Sequence, residues 1–172
     1  MKKIFLLLAV AGMTFLQGCE GDPGPQGPQG YTVEAETFEI RNVNFIDDGS
    51  GYFGIIYDLD PAILDSDSIL MYRLKSTSGI DVWEPLPKTY YFDDGVNEQE
   101  LDYNFDFTTN DISIYLGYTS PFVLQPGFIQ NQVFRVVVIP GYLSNKIGNK
   151  DYNSVTKALK ISEEDFTKPA RN

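Results

Sequence analysis

The chain has no histidine, a single cysteine and few basic side chains, and each shortage narrows its chemistry. Without histidine it lacks the usual general base near neutral pH and the commonest ligand of transition metals. A lone cysteine makes no internal disulfide and no cysteine-rich zinc site. Only 13 Lys and Arg stand against 24 Asp and Glu, for a net charge of −11. That balance argues against nucleic acid as a partner, because phosphate binding is driven by clustered cations. The 172 residues suffice for one domain with a tail.

What is present begins at the N-terminus. Lys2 and Lys3 precede an uncharged, mostly apolar stretch from Ile4 to Leu16, which ends in Gln17 and Gly18. This is the layout of a secretory signal over residues 1–18. The apolar run is shorter than the ~20 residues a helix needs to span a bilayer, so a permanent transmembrane helix is disfavoured. The single Cys19 follows directly. A plain signal peptide with an incidental cysteine is the bland alternative. Downstream come Gly21-Asp22-Pro23, Gly24-Pro25-Gln26, Gly27-Pro28-Gln29 and Gly30. Glycine at every third place with proline between is the collagen pattern, since only glycine fits at the axis of three polyproline II chains. Three triplets are too few to hold a triple helix alone. A single chain of this composition is an extended, semi-rigid spacer, on the order of 30 Å at ~3.1 Å per residue.

Leu16-Gln17-Gly18-Cys19 resembles the lipobox of bacterial lipoproteins, and a lipobox followed at once by Gly-Pro-Gln triplets resembles the small collagen-like lipoproteins of the Bacteroidetes. The resemblance implies cleavage before Cys19, diacylglycerol on its thiol, acylation of the new amine, and residence at the outer membrane. Acidic residues after the cysteine, here Glu20 and Asp22, imply display on the cell surface. Several acyl chains at one residue exceed the requirement for stable anchoring, at ~0.8 kcal/mol per buried methylene. The thiol would be consumed, leaving no cysteine for catalysis. Cleavage also removes Lys2 and Lys3, which takes the net charge from −11 to −13.

From Tyr31 onward, short apolar and aromatic runs are separated by turn-forming clusters, the pattern of strands. The runs are Thr37 to Phe45, Tyr52 to Leu59, Asp67 to Lys75, Asp81 to Trp83, Thr89 to Phe92, Leu101 to Thr108, Ile112 to Tyr118 and Val133 to Ile139. Leu101, Tyr103, Phe105 and Phe107 alternate with polar residues, which predicts one buried and one wet face. Val133 to Ile139 is apolar except for Arg135, as in a central strand covered on both sides. Pro85 and Pro87 confine their neighbourhood to an edge or a loop, because proline cannot donate to a ladder. About seven strands over residues 31–145 predict a mainly β fold, an antiparallel β-sandwich of immunoglobulin-like or related Greek-key type, with a small barrel as the alternative. Residues 146–172 differ in kind. Asp151 caps a predicted helix from Tyr152 to Lys160, and Ser162 to Asp165 has capping-box spacing for a further turn. Residues 31–145 hold 5 basic and 18 acidic side chains, whereas 146–172 hold 6 and 4. The basic tail is therefore expected to lie against the acidic body.

Candidate sites are few. Asp102 and Asp106 point the same way along one strand, but at ~3.3 Å per residue they stand about 13 Å apart, too far for a glycosidase pair. No other catalytic constellation is legible, so the expectation is a protein that is not an enzyme. Calcium is the candidate cofactor, because Asp47-Asp48 and Asp93-Asp94 offer hard oxygens in loops, although turn chemistry alone explains Asp-Asp-Gly. Trp83, Tyr90 and Tyr91, near the proline-interrupted edge, are candidates for an aromatic platform that stacks on carbohydrate or contacts a peptide. The competing reading is that they cover core beneath a loop. Pro121-Phe122-Val123-Leu124 is either a contact patch or a plug for one end of the sandwich. Together these features point to an envelope lipoprotein whose acidic domain binds or assembles, with an envelope protein or polysaccharide as the partner class.

Overall fold

In the computed structural model the described residues are 35–167, apart from Asp48, Ser78, Asp94 and Asn149. Cys19 and the Gly-Pro-Gln triplets lie outside them. The eight apolar runs are eight strands: β1 Glu36–Val43, β2 Phe53–Asp58, β3 Ser68–Thr77, β4 Ile80–Pro85, β5 Lys88–Asp93, β6 Glu98–Phe107, β7 Asp111–Tyr118 and β8 Gln132–Ile139. They form two antiparallel sheets of four, in the orders β1-β8-β3-β4 and β2-β7-β6-β5. The β5-β6-β7 meander with β2 laid beside β7 is the Greek-key arrangement. Immunoglobulin domains instead pair their first two strands within one sheet; here β1 and β2 belong to different sheets. The proline-flanked strands β4 and β5 are both edges, as their missing donors require.

Period-2 alternation decides which side chains enter the sandwich. Leu101 and Tyr103 of β6, Ile112, Ile114 and Leu116 of β7, and Phe134, Val136 and Val138 of β8 meet in one core with Phe38, Ile40, Ile69 and Met71. Phe45 and Val123 join from loops. β1 ends two residues before Phe45 because Asn42 adopts φ 56° and the register shifts between Ile40 and Val43. The chain then turns Phe45 inward and fixes it by a backbone hydrogen bond from its N–H to Ile129 O at 2.8 Å. Val123, within the 3-10 turn Pro121–Val123, is fully buried, so this loop plugs the sandwich end.

Two short α-helices are present among the described residues, α1 Pro126–Ile129 and α2 Tyr152–Leu159. The second is the predicted C-terminal helix, with Asp151 accepting from the Ser154 N–H at 3.0 Å as its N-cap. The 3-10 turn Glu163–Thr167 follows, with Asp165 accepting from the N–H and hydroxyl of Ser162. This segment covers the outer face of the β8 sheet. Val155 and Phe166 bury themselves on Tyr72, Val137 and Ile139, and Trp83 packs at the margin. β8 is thus buried on both faces, which is why it lacks alternation.

The expected attraction between a basic tail and an acidic body falls in part outside the described residues, which leave out the side chains of Lys146, Lys168 and Arg171. Among the described residues, an ion pair across this contact runs in the opposite sense, from Arg135 of the body to Glu163 of the tail at 2.5 Å. Position outweighs net charge here: Lys157 and Lys160 are on the exposed side of the helix, where pairing is worth only ~0 to 1 kcal/mol.

Candidate functional site

The three aromatic candidates do not form one platform. Trp83 is on β4 and faces outward from the first sheet, beneath the C-terminal segment. Tyr90 is on β5 and faces inward, and its neighbour Tyr91 points the other way, 73% exposed. Strand alternation separates Tyr90 from Tyr91, and the change of sheet between β4 and β5 separates both from Trp83. Trp83 and Tyr90 each line a cleft of their own.

The Trp83 cleft has a volume of about 510 Å³ and lies between β4 and α2. Trp83 stacks on Tyr152, with ring centroids 5.8 Å apart and planes inclined by 29°. The Arg135 guanidinium lies 4.0 Å from the centroid of Trp83 and 4.3 Å from that of Phe166. Arg135 reaches this position because its register partner on β1 is Glu39. Its Nε donates to Glu39 at 2.8 Å, and its Nη1 and Nη2 donate to the two Glu163 oxygens at 2.9 and 2.5 Å. Nη1 also donates to the Tyr152 hydroxyl. Burial works against the charge on Arg135, but the hydrogen bonds to Glu163 and Glu39 outweigh it and raise its pKa. Asp81, Asp151 and Glu163 supply carboxylates to the cleft. The hydrogen bond from Arg135 holds Glu163 below the usual carboxylate range, and the bonds from Ser154 do the same for Asp151. Both are therefore ionised acceptors, and neither is poised to donate a proton near neutral pH. Burial pushes the Tyr152 hydroxyl up to about 12, so it remains a protonated donor.

The Tyr90 cleft, about 400 Å³, is lined by β3, by Tyr90 of β5, and by the start of β8 with the helix and loop that lead into it. Arg73 of β3, 5% exposed, faces into the sandwich there. Its Nε donates to Gln132 at 2.9 Å and its Nη1 to the Tyr90 hydroxyl at 2.9 Å. The guanidinium carbon sits 4.4 Å from the centroid of Tyr103. The Tyr90 hydroxyl donates in turn to Glu84. Burial, reinforced by that bond, pushes Tyr90 up to about 12.

Of the candidate calcium ligands, Asp47 and Asp93 each use one carboxylate oxygen in turn formation. Asp47 Oδ1 accepts from the N–H groups of Gly49 and Gly51, each at 2.8 Å. Asp93 Oδ1 accepts from Gly95 N–H at 2.7 Å. Asp48 and Asp94 lie outside the described residues. Among the described residues, no group of three or more His, Cys, Asp or Glu is placed to hold a metal ion. Nor is any helix among them long and apolar enough to cross a membrane. Sequence reasoning missed both arginines as organisers. The available signal was a single cation inside an apolar strand run, Arg135 in Val133 to Ile139 and Arg73 after Leu70-Met71-Tyr72. No known protein family, curated protein or solved structure matches the chain.

Proposed function

We propose that this chain is a lipid-anchored cell-envelope protein, tethered at the outer membrane through Cys19 and the Gly-Pro-Gln spacer, whose acidic β-sandwich binds envelope polysaccharide rather than catalysing a reaction. The observation that carries the binding reading is the Trp83 cleft. Its aromatic wall beside Asp81, Asp151 and Asn153 is the combination that takes a sugar face on a ring and sugar hydroxyls on acceptors. The ionised state of Asp151 and Glu163 suits acceptors and does not suit the acid of a glycosidase, which must carry a raised pKa.

Affinity electrophoresis of the full-length chain through gels containing neutral polysaccharides tests the reading. Retardation that is lost in the Asp81→Ala/Asn153→Ala variant supports it, since both side chains are exposed and their loss leaves the core intact. Equal migration in every gel overturns the binding reading. Metabolic lipid labelling addresses the anchor separately, and uptake of lipid by Cys19→Ser would refute it. The same preparation at two concentrations separates binding from assembly through edge strand β4, which exposes Ile80 and Val82: assembly makes migration depend on concentration with no polysaccharide present.

A further inference from the structure

Cations are scarce in this sandwich, yet three of the five in residues 31–145 converge on one ring. The Arg73 guanidinium carbon and the Lys75 and Lys88 ammonium nitrogens lie 5.5, 5.8 and 5.9 Å from the Tyr90 centroid. Glu84 is the carboxylate paired with all three, at 3.9 Å from Arg73, 3.5 Å from Lys75 and 4.0 Å from Lys88. One anion against three cations leaves an excess of two positive charges around the Tyr90 ring, and two of the three cations, Arg73 and Lys75, line the cleft, within a body that is otherwise strongly negative. Like charges so gathered repel one another, and an anion entering between them removes that repulsion.

The cleft is also pre-organised. Gln132 is buried, and its amide nitrogen donates to Gly127 O at 3.1 Å and Gln130 O at 2.6 Å, which turns its oxygen toward Arg73 Nε. Asn131 is held at φ 51°, with its N–H donating to Asn44 Oδ1 at 3.0 Å. Left-handed backbone at a non-glycine residue carries strain that is retained where the surroundings fix it, as at ligand clamps. Among the described residues, the charged side chains lining the cleft are Arg73 and Lys75, and Tyr90, Phe128, Gln130 and Asn131 stand beside them.

We infer that this cleft is a binding site for a carboxylated saccharide, with a hexuronate as the recognised unit. Lys75 and Arg73 take the carboxylate, the rings of Tyr90 and Phe128 take the sugar face, and the amides of Gln130 and Asn131 take hydroxyls. A volume of about 400 Å³ falls in the ~300 to 1,000 Å³ range of small-ligand sites. A small positive cluster within a negative body matches a carboxylate carried on a sugar. This site is separate from the Trp83 cleft and differs from it in requiring ligand charge.

Calorimetric titration of the full-length chain in detergent with trigalacturonate tests the assignment, with maltotriose and inorganic phosphate as comparators. Trigalacturonate should bind, and should bind at least tenfold more weakly to Lys75→Glu, whose folded state is checked by circular dichroism because Lys75 pairs with Glu84 at 3.5 Å. Gln130→Ala should weaken trigalacturonate as well. The proposal is overturned by an absence of trigalacturonate binding, by equal affinity in Lys75→Glu, or by phosphate displacing trigalacturonate at equal concentration, which would make the cleft a general anion site. Loss of neutral-polysaccharide retention in Asp81→Ala/Asn153→Ala reports on the other cleft and leaves these outcomes unchanged, so the two readings fail separately.

Discussion

Replacing Arg135 by leucine removes the cation that joins the C-terminal segment to the sandwich, and its cost follows from what is left behind. Glu39, only 4% exposed, loses its buried partner and keeps Arg41, whose side chain is 64% exposed. Stranding a buried charge in this way costs about 3 to 5 kcal/mol. The bond to Glu163 adds little, because that carboxylate is 72% exposed, and exposed pairs contribute ~0 to 1 kcal/mol. Loss of the guanidinium from the faces of Trp83 and Phe166 adds about 1 kcal/mol, which the leucine's own burial largely offsets. A net loss of about 4 kcal/mol, at a urea m-value of about 2 kcal/mol/M, moves the unfolding midpoint by about 2 M. Trp83 is the only tryptophan and touches Arg135, so its fluorescence reports this contact directly, with far-ultraviolet circular dichroism following the sheets. The reasoning also requires non-additivity: Glu39→Leu combined with Arg135→Leu should recover most of the loss, because no charge is then stranded. A single variant destabilised by less than about 1 kcal/mol, or a double variant no more stable than the single one, would refute it.

Two further outcomes follow from the same contacts. Glu163 has a folded-state pKa below its unfolded value, so its contribution is present above the ordinary glutamate range and is lost as pH falls through the depressed value. The thermal midpoint should therefore drop more steeply for the parent than for Glu163→Gln on acidification below about pH 4.5, and parallel profiles would exclude the linkage. At Gly141 an added Cβ would lie 2.6 Å from Ser66 O and 2.9 Å from Ser66 Cβ. Gly141→Ala should cost about 1 to 3 kcal/mol in urea unfolding, and an unchanged midpoint would mean that the loop before β3 yields freely.

Strands were legible because their signal is local. The alternation of Leu101, Tyr103, Phe105 and Phe107, and the Asp-Gly clusters between runs, depend on neighbours a few residues apart, and every predicted run is a strand. The C-terminal helix was equally legible, with Asp151 as its cap. The continuous apolar run of β8 announced burial on both faces without saying what would cover the second one. The aromatic platform failed on the same ground that made the strands readable. Successive residues point to opposite faces, so Tyr90 and Tyr91 part company, and Trp83 belongs to another sheet across a connection whose path carries no periodic signal.

Sequence alone determined the chemistry in stock: no histidine, one cysteine beside a lipobox-like segment, a strongly acidic body and strands enough for a sandwich. These are properties of composition and short spacing, and folding does not alter them. Tertiary structure decided where the few cations go. Arg135 meets Glu39 across a ladder and Glu163 across a helix, and Arg73, Lys75 and Lys88 gather on Tyr90 from two sheets. Partners separated by up to 96 positions in the chain are joined only when strand order and register are set, and electrostatic attraction acts on distance in space, which no local spacing in the sequence records.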